Sequence, residues 1–292
     1  MYELVQVAPR TYYIQCPAKM GVYVPDGRHA CLIDSGNDKD AGKKALRVLT
    51  QNGWTLSCIV NTHAHADHIG GNRYLQAQTG CRIYAGGIEA AFARTPILEP
   101  AFLYGGFPPQ ALRHKFLMAQ ESDVLPLGGE GFPEELEILP LPGHSFDMIG
   151  VRTPDDVVFL ADCLASAQTL EKYAVSVLYD VEAYLQTLER VKTLHAACFV
   201  PAHAEPTQDI RPLAQRNQDQ VQEIIGVLLE RLQTPATFET VLAQVFTYYG
   251  LVMTAEQHAL VGFTLRSYLA YLWDTGRIDA RFEGNRMVFF RV

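Results

Sequence analysis

No run of apolar residues in this chain approaches the length of a bilayer-spanning helix. The opening residues, Met1-Tyr2-Glu3-Leu4-Val5-Gln6, lack the basic stretch and apolar core of a secretory leader. The expectation is therefore a cytoplasmic protein with no membrane role. Positive charge is also in short supply, since 24 Lys and Arg against 32 Asp and Glu leave a net charge of −8. That balance argues against nucleic acid as a partner, because a phosphate-binding surface must be basic. Six cysteines (Cys16, Cys31, Cys58, Cys81, Cys163, Cys198) are scattered without close pairs, and most lie in apolar stretches. Buried free thiols in a reducing compartment follow. Cys163 adjoins Asp162, but strand alternation turns it to the opposite face, so a structural role is expected. No serine or cysteine stands in a convincing nucleophile setting. What remains is an ordinary globular composition, 48% hydrophobic and 19% charged over 292 residues, enough for about two domains.

Against this background residues 61–71 stand out: Asn61-Thr62-His63-Ala64-His65-Ala66-Asp67-His68-Ile69-Gly70-Gly71. Imidazole and carboxylate are ligands for zinc, iron or manganese, and packing alone does not explain so dense a run. His63 and His65 alternate as on a strand or its exit loop, so both rings can point one way. Asp67 and His68 follow a change of direction and can face an adjacent position. One loop thus has the makings of two neighbouring metal sites.

Three further segments each end an apolar stretch with a metal-type ligand. They are Pro142-Gly143-His144-Ser145, Val157-Val158-Phe159-Leu160-Ala161-Asp162 and Phe199-Val200-Pro201-Ala202-His203. Singly each is weak. Together they place ligands at the C-terminal ends of apolar segments, where α/β architectures gather functional groups.

With these residues assembled, the chain resembles the metallo-β-lactamase-fold hydrolases over about residues 10–205, whose hallmark is H-x-H-x-D-H followed by a later His, Asp and His. The resemblance implies that His63, His65 and His144 hold one metal, that Asp67, His68 and His203 hold a second, and that Asp162 bridges them. Ile33-Asp34-Ser35-Gly36 matches the early strand end whose Asp34 orients the metal loop from behind. The cofactors implied are two divalent ions, zinc by first expectation, with iron or manganese open. The same resemblance implies a catalytic role for Asp67, orienting the nucleophile.

The pattern along the chain fits a four-layered αββα sandwich of the α/β class. Strands are expected at 12–14, 21–24, 30–33, 58–60, 82–84, 136–140, 148–152, 157–161 and 197–200, with helices at 39–52, 72–79 and 181–194. Residues 1–209 form this catalytic domain. Its insert, 87–122, is rich in aromatics and proline and reads as a lid over the site, half of a homodimer interface, or a helical pair on the core. His114 and Lys115 within it could meet an anionic substrate. In residues 210–292, helices at 221–232, 238–248 and 255–273 precede a hairpin around Glu283-Gly284-Asn285. This resembles a winged-helix module, as appended in the branch related to the β-lactamase-like endoribonucleases. Eight Arg, no Lys and eight acidic residues leave the segment neutral, so packing, dimerisation or pocket shaping is expected rather than nucleic-acid binding.

The ligand set, through the resemblance, implies metal-assisted hydrolysis, in which paired ions acidify a shared water and polarise the electrophile. An Asp162 bridge is similar to the glyoxalase II, lactonase and ribonuclease Z branches and departs from the β-lactam-hydrolysing enzymes. Glyoxalase II enzymes follow their last metal histidine with a tyrosine-containing motif that helps hold glutathione. Here His203 is followed by Ala204-Glu205-Pro206, which departs from it. The leading expectation is hydrolysis of a small ester, thioester or lactone. Cleavage of RNA phosphodiesters and a mononuclear iron persulfide dioxygenase are the alternatives, with a non-catalytic scaffold behind them. His68 and His203 speak against the dioxygenase.

Overall fold

The structure is a computed structural model and describes residues 2–292. Strands β1 (Glu3–Ala8), β2 (Thr11–Gln15), β3 (Met20–Tyr23), β4 (His29–Ile33), β5 (Thr55–Val60), β6 (Arg82–Ala85) and β7 (Leu125–Pro126) form a first sheet in chain order. Its first four strands pair antiparallel and the rest parallel. Strands β8 (Glu137–Pro140), β9 (Ile149–Arg152), β10 (Val157–Ala165) and β11 (Cys198–His203) form the second sheet, in the order β11-β10-β9-β8.

Period-two alternation sorts the side chains of these strands into layers. In the first sheet Val22, Leu32, Ile59 and Ile83 turn outward. They meet Ala45, Leu49 and Leu75 of helices α1 (Lys39–Gln51) and, beyond the short α2 (Ala66–Ile69), α3 (Asn72–Thr79). Their neighbours Tyr23, Cys31, Ile33, Val60 and Tyr84 turn inward against Ile149, Val151, Val157 and Phe159 of the second sheet. On that sheet's far face Val158, Leu160 and Cys163 pack in a third cluster with the later helices. Helix, sheet, sheet, helix is the expected αββα order, and Cys163 is indeed fully buried on the side away from the sheet interface.

Helices α4 (Gly87–Arg94) and α5 (Leu98–Tyr104) form the insert, with a 3-10 turn at Gln110–Leu112. After α6 (Ala167–Tyr173) and α7 (Val181–Thr193), the chain runs into α8 (Arg211–Arg231), α9 (Phe238–Tyr249) and α10 (Ala255–Asp274). A small sheet, β12 (Ala236–Thr237) with the hairpin β13 (Ile278–Glu283) and β14 (Arg286–Arg291), completes the winged-helix-like order. Leu103, Leu112 and Leu117 of the insert pack on Ala259 and Leu260 of α10, so the insert is covered there by α10.

Three expectations need correction. Helix α8 starts ten residues before the expected Val221, with Pro212 in its first turn, where proline's missing N–H costs nothing. Its polar run Gln215-Arg216-Asn217-Gln218 hid the start. Strand β10 does not end at Asp162 but continues to Ala165, with irregular pairing to β11 between Phe159 and Ala165 and a left-handed Ala161 (φ 49°). That irregularity, rather than a strand end, re-aims Asp162. Lys115 binds Asp38 at 2.9 Å on the surface and neither it nor His114 lines the main cavity.

Candidate metal centre

The loop after β5 is fixed from below by Asp34. This residue follows β4 in the left-handed region (φ 64°), a conformation that Asp tolerates better than most residues. Its buried carboxylate accepts from Thr62 N–H at 2.8 Å, from Thr62 Oγ1 at 2.7 Å and from His68 Nδ1 at 2.8 Å. The loop also lies hard against the β4 exit: a Cβ on Gly71 would meet Ser35 O at 2.3 Å, so only glycine fits there.

Those bonds decide where protons sit. A carboxylate only accepts, so His68 Nδ1 carries a hydrogen and leaves Nε2 facing inward. Thr62 Oγ1, having donated to Asp34, accepts from His63 Nδ1 at 3.1 Å. His144 Nδ1 donates to Val177 O and His203 Nδ1 to Pro17 O, each at 2.9 Å. Four imidazoles thus present Nε2 to one centre, each oriented through its other nitrogen, as metal-ligating histidines are.

Ligand atoms of His63, His65 and His144 lie within 4.8 Å of one another, and so do those of Asp67, His68, Asp162 and His203. Asp162 stands between the groups: its oxygens are 3.0 Å from His68 Nε2, 3.4 Å from His203 Nε2 and 3.7 Å from His144 Nε2. Asp67 Oδ2 is 3.3 Å from His203 Nε2. All seven predicted ligands therefore converge.

Electrostatics differ between the two groups. Burial pushes the His63 imidazole well below its ordinary range, His65 down to about 3, and His144 down as well, so all three are neutral with lone pairs to give. In the second group the Asp162 charge lifts His203 to about 10. Burial opposes charge on His68, but Asp162, Asp67 and Asp34 outweigh it and raise it. Burial likewise opposes ionised Asp67, yet His68 and His203 draw it down to about 2. Asp162 is held below its usual range by His203 and His68 against the same opposition.

A divalent cation fits this donor set. His63 Nε2, His68 Nε2 and Asp162 Oδ1 are buried without a hydrogen-bond partner, His68 Nε2 and Asp162 Oδ1 being close but misaligned. Orphaned atoms of this kind call for an explanation, and a cation between them supplies one. Three imidazoles in one group, and two imidazoles with two carboxylates in the other, suit zinc, iron or manganese.

Two insert carboxylates join the site without having been singled out in the sequence. Glu89 of α4 is buried and accepts from Ala64 N–H at 2.8 Å, Ser145 Oγ at 2.6 Å and Asp147 N–H at 3.1 Å. It ties the His63/His65 loop to the His144 loop. Glu99 of α5 is buried with Oε1 3.9 Å from His65 Nε2, and burial raises its pKa well above the usual range. Each is an acidic residue on a mostly apolar helix, GIEAAFAR and LEPAFLY, which is the signal that was available.

The centre opens into a cavity of about 790 Å³ reached by His65, Asp67, His144, Asp162 and His203. Much of the remaining wall is apolar, from the insert, the 164–178 segment and α10.

Comparison with known proteins agrees with this fold. The family model described as "Metallo-beta-lactamase superfamily" matches residues 14–203. A hydroxyacylglutathione hydrolase of Rhodopseudomonas palustris (strain BisB18) is 31% identical over 141 residues, covering 44% of this chain and 46% of the relative. The chain thus matches about half the length of that relative. A metallo-beta-lactamase family protein from Thermus thermophilus superposes with TM-score 0.70 at 19% identity, covering 100% of this chain and 98% of the other. A beta-lactamase domain protein from Burkholderia ambifaria gives TM-score 0.73 at 15% identity over 99% and 94% of the two chains. At these identities the structural likeness speaks for the fold, and it extends through the C-terminal helices and hairpin.

Proposed function

This chain belongs to the metallo-beta-lactamase superfamily, and from that premise we propose that it is a dinuclear metal-dependent hydrolase of a small ester, thioester or lactone. Among these a thioester has the added support of relatives named hydroxyacylglutathione hydrolase. The observation that carries the reading is Asp162 standing between two complete ligand groups.

In this reading His63, His65 and His144 would hold one ion, Asp67, His68 and His203 the other, with Asp162 placed to serve both. Such a pair, when bound, supplies an acidified water and a Lewis acid for the electrophile. The chain's own residues do the rest. Asp34 holds Thr62 and His68, and through them the loop, so that both groups keep their spacing. Asp67, whose side chain is 42% exposed, offers a carboxylate oxygen at the cavity floor to accept a hydrogen bond from the attacking water and steady its direction. Residues 1–209 carry the centre as the catalytic domain, and residues 210–292 are an appended module whose α10 walls the cavity.

The test is a panel of acyl thioesters, esters and lactones offered to metal-replete protein. Turnover of at least one class, lost in His63→Ala, is expected. A metal-replete protein that leaves the whole panel intact sinks the proposal.

A further inference from the structure

Nothing in the ligand groups says what the rest of the substrate is, but the cavity beside them does. Its walls beyond the centre come from three places that the fold brings together: Leu103 and Leu117 from the insert, Leu164 at the end of β10 with Val175 from the segment after it, and Leu260 and Val261 from α10. Leu103 and Leu117 are themselves fixed by packing against Ala259 and Leu260, so this wall is preformed. At about 790 Å³ the space is far larger than an acetyl group needs and falls in the range of sites for drug-sized molecules.

Charge narrows the occupant. Apart from the ligand groups, the ionisable side chains on the cavity wall include Glu99, Glu256 and Lys172. Lys172 Nζ reaches Tyr173 Oη at 2.9 Å, which places this one cation among aromatic surface. Lys19, near His203 in the chain fold, spends its ammonium on Ala204 O at 2.7 Å. Lys172 is offset by Glu256 on the same wall, and buried Glu99 adds no positive charge, so the wall beyond the ligand groups makes a poor receptor for a polyanionic moiety. An uncharged chain of methylenes needs no positive charge and gains from every carbon buried.

We infer that the cavity receives the acyl side of the substrate, and that this acyl group is an apolar chain of medium length, its carbonyl at the His/Asp centre and its tail between Leu117 and Leu260. The inference rests on the hydrolase reading above and specifies its substrate class. Hydrolysis adds water across the C–S bond, giving a free fatty acid and a thiol. Leu103, Leu117 and Leu260 then set chain length, and the insert together with α10 acts as the measuring wall.

The experiment uses the metal-replete full chain with N-acetylcysteamine thioesters from acetyl to decanoyl, alongside the unreactive thioether S-octyl-N-acetylcysteamine and its shorter-chain analogues as calorimetric probes. Each buried methylene is worth about fourfold, so kcat/KM should climb about 250-fold over the four methylenes from acetyl to hexanoyl before levelling off. Leu260→Trp, which fills the cavity, should cut the octanoyl-to-acetyl ratio of kcat/KM at least about tenfold. Leu117→Ala, which enlarges it, should move the optimum to longer chains, and it stands in if the tryptophan variant does not fold. Equal kcat/KM from acetyl to decanoyl would overturn the inference while leaving the hydrolase reading intact. Thioether binding that strengthens with chain length, with no thioester, ester or lactone hydrolysed, would retain the pocket and overturn the hydrolase. Neither turnover nor thioether binding would overturn both.

Discussion

Replacing Glu89 by glutamine changes one atom and tests whether the two metal-bearing loops are held together as the structure implies. Ala64 N–H points at one carboxylate oxygen, while Asp147 N–H and Ser145 Oγ point at the other. Glutamine has a single acceptor oxygen, so in either orientation its amide N–H₂ opposes a backbone N–H. Ser145 can adapt because a hydroxyl also accepts, but a peptide N–H cannot. Leaving one such donor unmet at a buried site costs about 1–3 kcal/mol. For a chain of this size that corresponds to a fall in Tm of about 2–6 °C. The loops involved carry His63, His65 and His144, so metal content at that group should fall first. Thermal unfolding in chelator measures the packing term, and metal titration measures the consequence. Glu134→Gln, on the surface loop before β8, is the control and should shift neither. A Glu89→Gln protein whose Tm lies within about 1 °C of the parent in chelator would refute the clamp.

Asp162→Asn keeps the shape but removes the charge shared by the two groups, so metal stoichiometry and hydrolysis should both drop sharply; unchanged stoichiometry by elemental analysis would deny the bridge. In metal-free protein His203 stands at about 10 against an ordinary 6.5, so its stabilisation is complete below about pH 6.5 and is lost as pH rises towards 10. Asp67, drawn down from 3.8 to about 2, contributes above its ordinary value and loses that contribution as pH falls towards 2. Denaturant titrations in chelator should therefore show stability falling on both flanks, and a profile flat from pH 7 to 10 would contradict the His203 assignment. Gly143→Ala forces a Cβ to within 2.4 Å of the Tyr184 backbone at φ 125°. It should cost about 3 kcal/mol or more and displace His144; a variant as stable as the parent would show that this turn is free to move.

Much of the centre was legible because its chemistry is local or sits at repeated positions along the chain. Residues 61–71 announce two sites within one loop, and His144 and His203 follow apolar runs as functional residues do in α/β folds. The αββα layering was expected from the order of strands and helices, and the structure sorts each strand by alternation, with Val22 and Leu32 outward and Tyr23 and Ile33 inward. What escaped reading was tertiary. Asp162 sits at an irregularity in β10 rather than at its end, and irregular pairing depends on the neighbouring strand, not on the residues alone. Glu89 and Glu99 reach the centre across the fold from an insert whose place could not be read from its own sequence. The start of α8 was masked by polar residues, although Asn217 among them bonds both Ala165 N and Ala165 O. A polar residue that is buried and paired looks, in sequence, like one that is exposed. The edge strand β1 alternates too weakly to be recognised and is fixed by pairing with β2.

The central claim is two metals serving one hydrolytic centre, and metal content measured together with thioester turnover on the same preparation tests it most directly. Two equivalents of a divalent ion per chain, with hydrolysis that disappears on chelation and returns on reloading, is the predicted result. One equivalent of iron in a protein that hydrolyses nothing would contradict it, and would point instead to the single-iron oxygenase chemistry against which His68 and His203 argue.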